Sequence, residues 1–279
     1  LKLNRKLMID KSYFNKENYP FDLHPTYYPY LLDKYHIDEG YVSSVCSKYG
    51  KLMSKKRAYL IINPIIERLG LNTKYPMLLT KRNYAYETVM NSSFIYLNGY
   101  WQNQEKIIAR YQNKIRNALT PNNISGESQK LVKKMGSENS VSIHFRKGDY
   151  LSNPKFSAVY ADCSVDYYNK AMKIIEEKTS GPTYYIFSDN YGWVRENIKI
   201  RANMVLMDYD IQDHEQLYLM SQCKHNIIAN SSYSWWGANL NQNVNKVVIC
   251  PKEWVKTNKG AEFVDFDLKD RIPKDWVLS

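Results

Sequence analysis

The stretch VSIHFRKGDY, residues 141–150, decides how this chain is read. Val141, Ile143 and Phe145 alternate with Ser142, His144 and Arg146, the period-two pattern of a strand with two unlike faces. Lys147-Gly148-Asp149 then turns the chain. A buried strand that ends in charge suits a parallel α/β sheet, where ligands bind beyond the carboxyl ends of the strands. His144 and Arg146 are two residues apart and so project to one side near that end. A guanidinium fixed there can hold a phosphate through two parallel hydrogen bonds. An arginine pairing with a carboxylate at a strand end is an equally open reading of this segment.

Downstream, the alternation of elements is regular. Strands are expected at 184–187, 204–207, 226–229 and 246–249, and helices at 165–177, near Trp193, at 214–223 and at 233–240. With the strand at 141–145, five strands alternate with helices, which implies a parallel, doubly wound sheet. Upstream the signals are sparser. Short strands are expected at 7–9, 77–80 and 94–97, and irregular loop at 12–30, rich in Tyr, Pro and Asn. A helical stretch covers 52–69, interrupted near Pro64. Ile107, Ile108, Tyr111, Ile115 and Leu119 share one face of a helix at 105–119, which Pro121 stops. A further helix is expected at 125–135. The polar stretch 136–140 divides the chain into an N-terminal domain, 1–138, and a C-terminal domain, 139–279.

The 279 residues suit one large or two moderate domains. No apolar run is long enough to cross a bilayer, and no signal peptide is visible. The formal charge of +11 suits a nucleotide, a nucleic acid or an anionic membrane face as partner. The basic residues are spread along the chain, so most read as solvated surface, and no nucleic-acid module is recognisable. Cys46, Cys163, Cys223 and Cys250 have no paired spacing, which argues against zinc and a disulfide framework and fits a reducing compartment.

Polar clusters fall at three strand ends: His144 with Arg146, Ser188 with Asp189, and Asn230 with Ser231 and Ser232. The third leads directly into a helix, whose first turn offers free N–H groups and positive dipole to an anion. Serine there caps a helix more often than it grips a phosphate. Taken with Arg146, the set proposes a nucleotide diphosphate site. Asp149, just past the strand end, is a candidate general base, and capping the turn is its plainer role. Asp208-Tyr209-Asp210 and Asp265-Phe266-Asp267 have a spacing used to hold divalent ions, a pattern common by chance. Trp235-Trp236 follows the serines, with core packing the plainer reading for at least one of the two.

IHFRKGDYL at 143–151, YYIFSDN at 184–190 and LYLMSQCKHNIIANSSYSWWGANLN at 217–241 resemble glycosyltransferase family 11, the α-1,2-fucosyltransferases. NGYWQNQEKI at 98–107 extends the resemblance, which looks bacterial, of the kind found with O-antigen and capsule genes. It implies a GT-B-like fold of two Rossmann-like domains with parallel sheets, the donor domain being C-terminal. It implies inverting transfer of L-fucose from GDP-β-L-fucose to the 2-hydroxyl of a galactose-type acceptor, with no metal or other cofactor. The acceptor would be a galactose-terminated glycan, free or lipid-linked. The setting would be the bacterial cytoplasm, with peripheral contact to the inner membrane face. Another sugar on the same fold, or an inactive nucleotide- or carbohydrate-binding module, are the alternatives.

By motif, Arg146 binds the donor diphosphate with His144 beside it, and Ser231 and Ser232 match the family's serines near the phosphates. Lys147 stands where the family usually has a second arginine. It keeps the charge and loses the fork. Gln216 stands where the family commonly has an aspartate resembling the guanine-binding residue of related enzymes. An amide offers one acceptor oxygen where a carboxylate offers two. The family opens with a strand and a Gly-Gly-Leu-Gly-Asn-Gln turn, and this chain begins after it. The expectation is therefore a fragment, or a cleft lacking one wall, and a weak catalyst.

Overall fold

Every residue of the strand at the start of the motif is buried, so the sheet around it must be covered on both faces. In the computed structural model the described residues are 30–37, 105–256 and 272–279, with short pieces at 8–9, 40–41, 65, 68–69, 77–79 and 95–97. They fall into two units: Leu1–Tyr30 with Ile37–Gln104, and Leu31–His36 with Glu105–Ser279. In the first unit, β1 (Met8–Ile9) pairs parallel with β2 (Gly40–Tyr41), and β3 (Met77–Leu79) with β4 (Ile95–Leu97). Most of the loop expected at 12–30 and of the helix expected at 52–69 lies outside the described residues.

The second unit opens with α1 (Glu105–Arg110), α2 (Gln112–Ala118) and α3 (Gly126–Ser137). The expected helix at 105–119 is broken at Tyr111, whose ψ of 15° leaves the helical range. Then come β5 (Ser140–Phe145), α4 (Asp149–Ser152), α5 (Pro154–Ser157), α6 (Val165–Lys178), β6 (Thr183–Ser188) and α7 (Tyr191–Asn197). After β7 (Met204–Leu206) and α8 (Asp213–Gln222) follow β8 (His225–Ile227), α9 (Ser232–Leu240), β9 (Val248–Cys250) and β10 (Val277–Leu278). The break expected between residues 138 and 139 falls inside this unit, because α1, α2 and α3 cluster with the sheet. One reason is visible at α2: Gln112 Nε2 and Arg116 Nη2 donate to the Asn239 and Asn241 carbonyls, at 3.3 and 3.1 Å.

The sheet order is β10-β9-β8-β5-β6-β7, all parallel, which is the Rossmann-like α/β arrangement expected. The chain enters at β5 in the middle, moves outward to β7, and returns to β8 on the other side of β5. The order therefore reverses between β5 and β8, and such a switch point opens a crevice at the carboxyl ends. β10 was not anticipated from sequence, since two residues carry no periodicity.

Alternation along the strands sorts the core. Val141, Ile143 and Phe145 join Tyr184, Ile186 and Ile227 on one face, beneath Tyr168, Ala171, Met172 and Ile175 of α6. Tyr185 and Phe187 face the other way, onto Leu131 and Met135 of α3 and Leu219 and Met220 of α8. Trp235 of α9 packs with Ile228, Val248, Trp254 and Trp276, so the core reading of this tryptophan holds. Gly237 lets α8 and α9 approach: a Cβ there would lie 2.9 Å from Met220 Cβ.

Candidate active site at the β5–β8 switch point

Arg146 follows β5 on the face of Ser142 and His144, as the period of two requires. Its Nη2 meets Asp149 Oδ2 at 2.8 Å and its Nη1 meets Asp189 Oδ2 at 3.0 Å. Beneath it lies the Tyr150 ring, 5.3 Å from Cζ to centroid. Two carboxylates thus fix the direction of the guanidinium and an aromatic face supports it. The two readings left open by the sequence meet in one residue, since Arg146 pairs with carboxylates and stands at the crevice.

Asp189 does more than pair. Its Oδ1 accepts from the backbone N–H groups of Lys147, at 2.7 Å, and Gly148, at 3.0 Å. Gly148 is required by this approach, because a Cβ there would lie 2.7 Å from Asp189 Oδ2. Ser188 Oγ donates to the Phe145 carbonyl at 3.0 Å and accepts from Asn190 N at 3.0 Å. Asn190 caps α7 by accepting from Trp193 N and donates to the Lys147 carbonyl at 3.4 Å. The cluster at the end of β6, where Ser188 and Asp189 were expected to bind the donor, holds the loop after β5 and braces Arg146.

Lys147 has the parity of Phe145 and goes to the opposite face from Arg146. Its ammonium lies 4.4 Å from the centroid of Trp193 and pairs with Asp162. Its side chain is 2% exposed, so this cation is built into the fold. The donor-binding role expected for Lys147 is not what these contacts serve. His144 is buried beside the Tyr233 ring of α9, centroids 5.7 Å apart, and its Nδ1 has no hydrogen-bond partner among the described residues. Burial pushes its imidazole down to about 4; the Asp189 carboxylate pulls upward and Arg146 pushes further down. His144 is therefore neutral at neutral pH.

Across the switch point, Asn230 is a bolt. Its Nδ2 donates to the carbonyls of Ala161 and Trp254, at 2.7 and 3.0 Å, and its Oδ1 faces Cys163 Sγ. Ser231 precedes α9 at its N-cap and makes no side-chain cap, while Ser232 is exposed. The first turn of α9 thus keeps N–H groups that no side chain caps. Its other end is crowded with cations: Lys246 Nζ donates to the carbonyls of Ala238 and Asn241, at 2.8 and 2.9 Å, beside Arg116. Burial, then Arg116, bring the Lys246 amine down to about 8. Cations at the negative end complement the helix dipole, and its positive end points toward the crevice.

Gln216 on α8 donates to the carbonyl of Ile211, just before that helix, at 3.0 Å. Its neighbour Glu215 belongs to the scaffold, accepting from Ser125 N at 3.0 Å and from the Ser125 and Ser128 hydroxyls at the start of α3. Burial raises this carboxyl, and the bonds from Ser128 and Ser125 outweigh it, so its pKa lies below the usual value. Asp208 pairs with Arg195 at the surface. No group of three or more metal-ligating side chains occurs among the described residues, and Asp265 and Asp267 lie outside them. A groove of about 340 Å³ runs between α6 and the segment from α7 to β7, with no lining residue from the β5 or β8 loops. Tyr150, Asp162 and Tyr233 were not singled out from sequence. Tyr150 carried a readable signal, four residues after Arg146 in the motif; Asp162 and Tyr233 carried none.

Residues 72–278 match the family described as Glycosyl transferase family 11. The chain is similar to an alpha-1,2-colitosyltransferase of Escherichia coli, 30% identical over 258 residues, covering 89% of this chain and 82% of that protein. It is also similar to the O-antigen biosynthesis glycosyltransferase WbnK of Escherichia coli, 36% identical over 126 residues, 44% of this chain and 42% of the relative. A galactoside alpha-(1,2)-fucosyltransferase 1 of Saimiri boliviensis boliviensis is 29% identical over 105 residues, 36% of this chain and 28% of its own.

Proposed function

The chain belongs to glycosyltransferase family 11, and on that premise we propose that it transfers L-fucose from GDP-β-L-fucose, with inversion, to the 2-hydroxyl of a galactose-type residue of an O-antigen or capsule glycan. The observation that supports this most is the pairing of Arg146 at the end of β5 with the uncapped start of α9 after β8. Both stand at the switch point where a parallel sheet binds nucleotides. In this reading the acceptor hydroxyl attacks the anomeric carbon through its oxygen from the face opposite the nucleotide and loses its proton to water. The bond from that carbon to the phosphate oxygen breaks, and GDP leaves with the electron pair. Arg146 and the N–H groups of α9 stabilise the negative charge that develops on the diphosphate. Asp149 and Asp189 act by holding Arg146, and His144 packs beside it as a neutral ring. Ser231 and Ser232 would face the phosphates, and Gln216 the base.

No metal is needed in this scheme, because the fixed cation and the helix start supply the positive charge. Transfer should therefore persist in excess EDTA; loss on chelation with rescue by manganese would move the proposal to the Asp208 motif. The site of action would be the bacterial cytoplasm, with peripheral contact to the inner membrane face. Among the described residues no helix is long and apolar enough to cross a membrane.

A second donor deserves a direct test, because the colitosyltransferase matches most of both chains. Colitose lacks the 3-hydroxyl of L-fucose. A pocket that hydrogen-bonds that hydroxyl discriminates by orders of magnitude, and one that does not discriminates little. Purified protein should be assayed with both GDP-sugars and a galactose-terminated acceptor, with the new linkage read by NMR. Transfer of fucose to the 2-hydroxyl is expected. Transfer of colitose alone would replace the donor, and a linkage to another hydroxyl would replace the acceptor position.

A further inference from the structure

We propose that Tyr150 is a positioning residue that sets the spacing between Arg146 and the start of α9, the two halves of the diphosphate site. The inference rests on the donor reading above. Tyr150 lies in the first turn of α4, directly after the loop that carries Arg146. Its ring supports the guanidinium at 5.3 Å. It also stacks on Tyr160, with centroids 4.4 Å apart and planes within 7°. Phe156 closes the edge of both rings, at 6.5 and 5.9 Å. The ring is thus held in an aromatic cluster with a cation over it, so displacing the ring would disturb the support of Arg146.

The hydroxyl reaches the other half of the site. It donates to the Asn230 carbonyl at 3.2 Å, one residue before Ser231 at the N-cap of α9. Asn230 is anchored in turn to the carbonyl of Ala161, the neighbour of Tyr160. The contacts close a ring from Arg146 through Tyr150 to Asn230, Ala161, Tyr160 and back to Tyr150. One side chain therefore spans the switch point, with its ring assigned to the cation and its oxygen to the strand that launches the helix. Burial holds the phenol far above its ordinary pKa, so it stays a donor across the working range. Asp149 and Asp189 hold Arg146 from the β5 and β6 side.

Ring and hydroxyl separate experimentally. Tyr150→Phe keeps the aromatic cluster and loses the bond to Asn230, and Tyr150→Leu loses both. Calorimetric titration with GDP and with inorganic pyrophosphate gives the dissociation constant and the number of competent sites independently. A role in stability alone would lower the number of sites or the Tm and leave the constant of the remaining sites unchanged. The Phe variant is expected to bind both probes on the order of fivefold more weakly. The Leu variant should bind on the order of thirtyfold more weakly. Both should keep full site number in the folded fraction. An unchanged constant for the Phe variant would overturn the coupling of the halves, even if the Leu variant does not fold. A wild-type chain that binds neither probe would overturn the donor reading and this inference with it, a result distinct from equal binding by wild type and variant.

Discussion

Arg146 and Lys147 are neighbouring cations that leave β5 on opposite faces of the sheet, and they meet different surroundings. The Arg146 guanidinium stands at the mouth of the crevice, its side chain 20% exposed, framed by Asp149, Asp189 and Tyr150. The Lys147 ammonium is closed in against Trp193 on the face that α6 covers. Equal charge and adjacent position thus give one group that can meet a ligand and one that fills the scaffold. What separates them is parity along a strand: a shift of one residue exchanges the faces. A motif with two basic residues is therefore not a motif with two phosphate ligands.

The sharpest way to break this contrast is to remove each cation in turn and to strike the residues between them. Arg146→Ala should lower transfer by about 10²–10³-fold or more, and Arg146→Lys should not restore it, because an ammonium cannot copy the planar fork. Steady-state kinetics on purified variants would decide, and near-normal turnover in the Lys variant would end the claim. Gly148→Ala strikes between the faces. Its Cβ must displace Asp189, at a stability loss of about 1–3 kcal/mol and a further loss of transfer as Arg146 moves. A variant with wild-type urea midpoint and wild-type rate would show that the Asp189 contact yields freely.

His144 tests the crevice face through pH. Its folded pKa of about 4 lies below the unfolded value of 6.5. Between these values the unfolded chain binds the extra proton, so stability is full above 6.5 and is lost as pH falls toward 4. The contribution is on the order of 1–3 kcal/mol, and urea unfolding across that window should be flatter for His144→Asn than for wild type. Parallel curves would place the acid sensitivity elsewhere. The smallest effect is expected on the other face. Lys147→Met removes a buried cation whose partner Asp162 is itself exposed and can be hydrated. The lost contact with Trp193 and the relieved desolvation oppose each other, so stability should stay within about 1 kcal/mol. Transfer per folded molecule should be preserved, and a large loss would return Lys147 to the phosphate site.

Sequence made the sheet legible because β5, β6 and β8 carry buried runs bounded by polar ends, and because α6 has a clear apolar face. It placed Arg146 and the Ser231 helix start at the right strand ends for the same reason. What the sequence leaves open has one cause. Ser188, Asp189 and Asn230 are polar residues at strand ends, and nothing in a linear sequence tells a side chain aimed at a ligand from one latched to the next loop. The partner decides, and Asp189 finds its partners 41 and 42 residues upstream.

That distance also has a meaning in time. The loop that carries Arg146 has been synthesised by Gly148, yet its two backbone N–H groups are received only by Asp189. As the chain leaves the ribosome, at about 5–20 residues per second, the loop waits seconds for the carboxylate that shapes it. The helix start at Ser232 comes later still. A nascent chain stalled before Asp189 would lack that brace for Arg146 and the neighbours β6 and β8 for β5, so competence for the donor should arise only after the sheet has closed around the switch point.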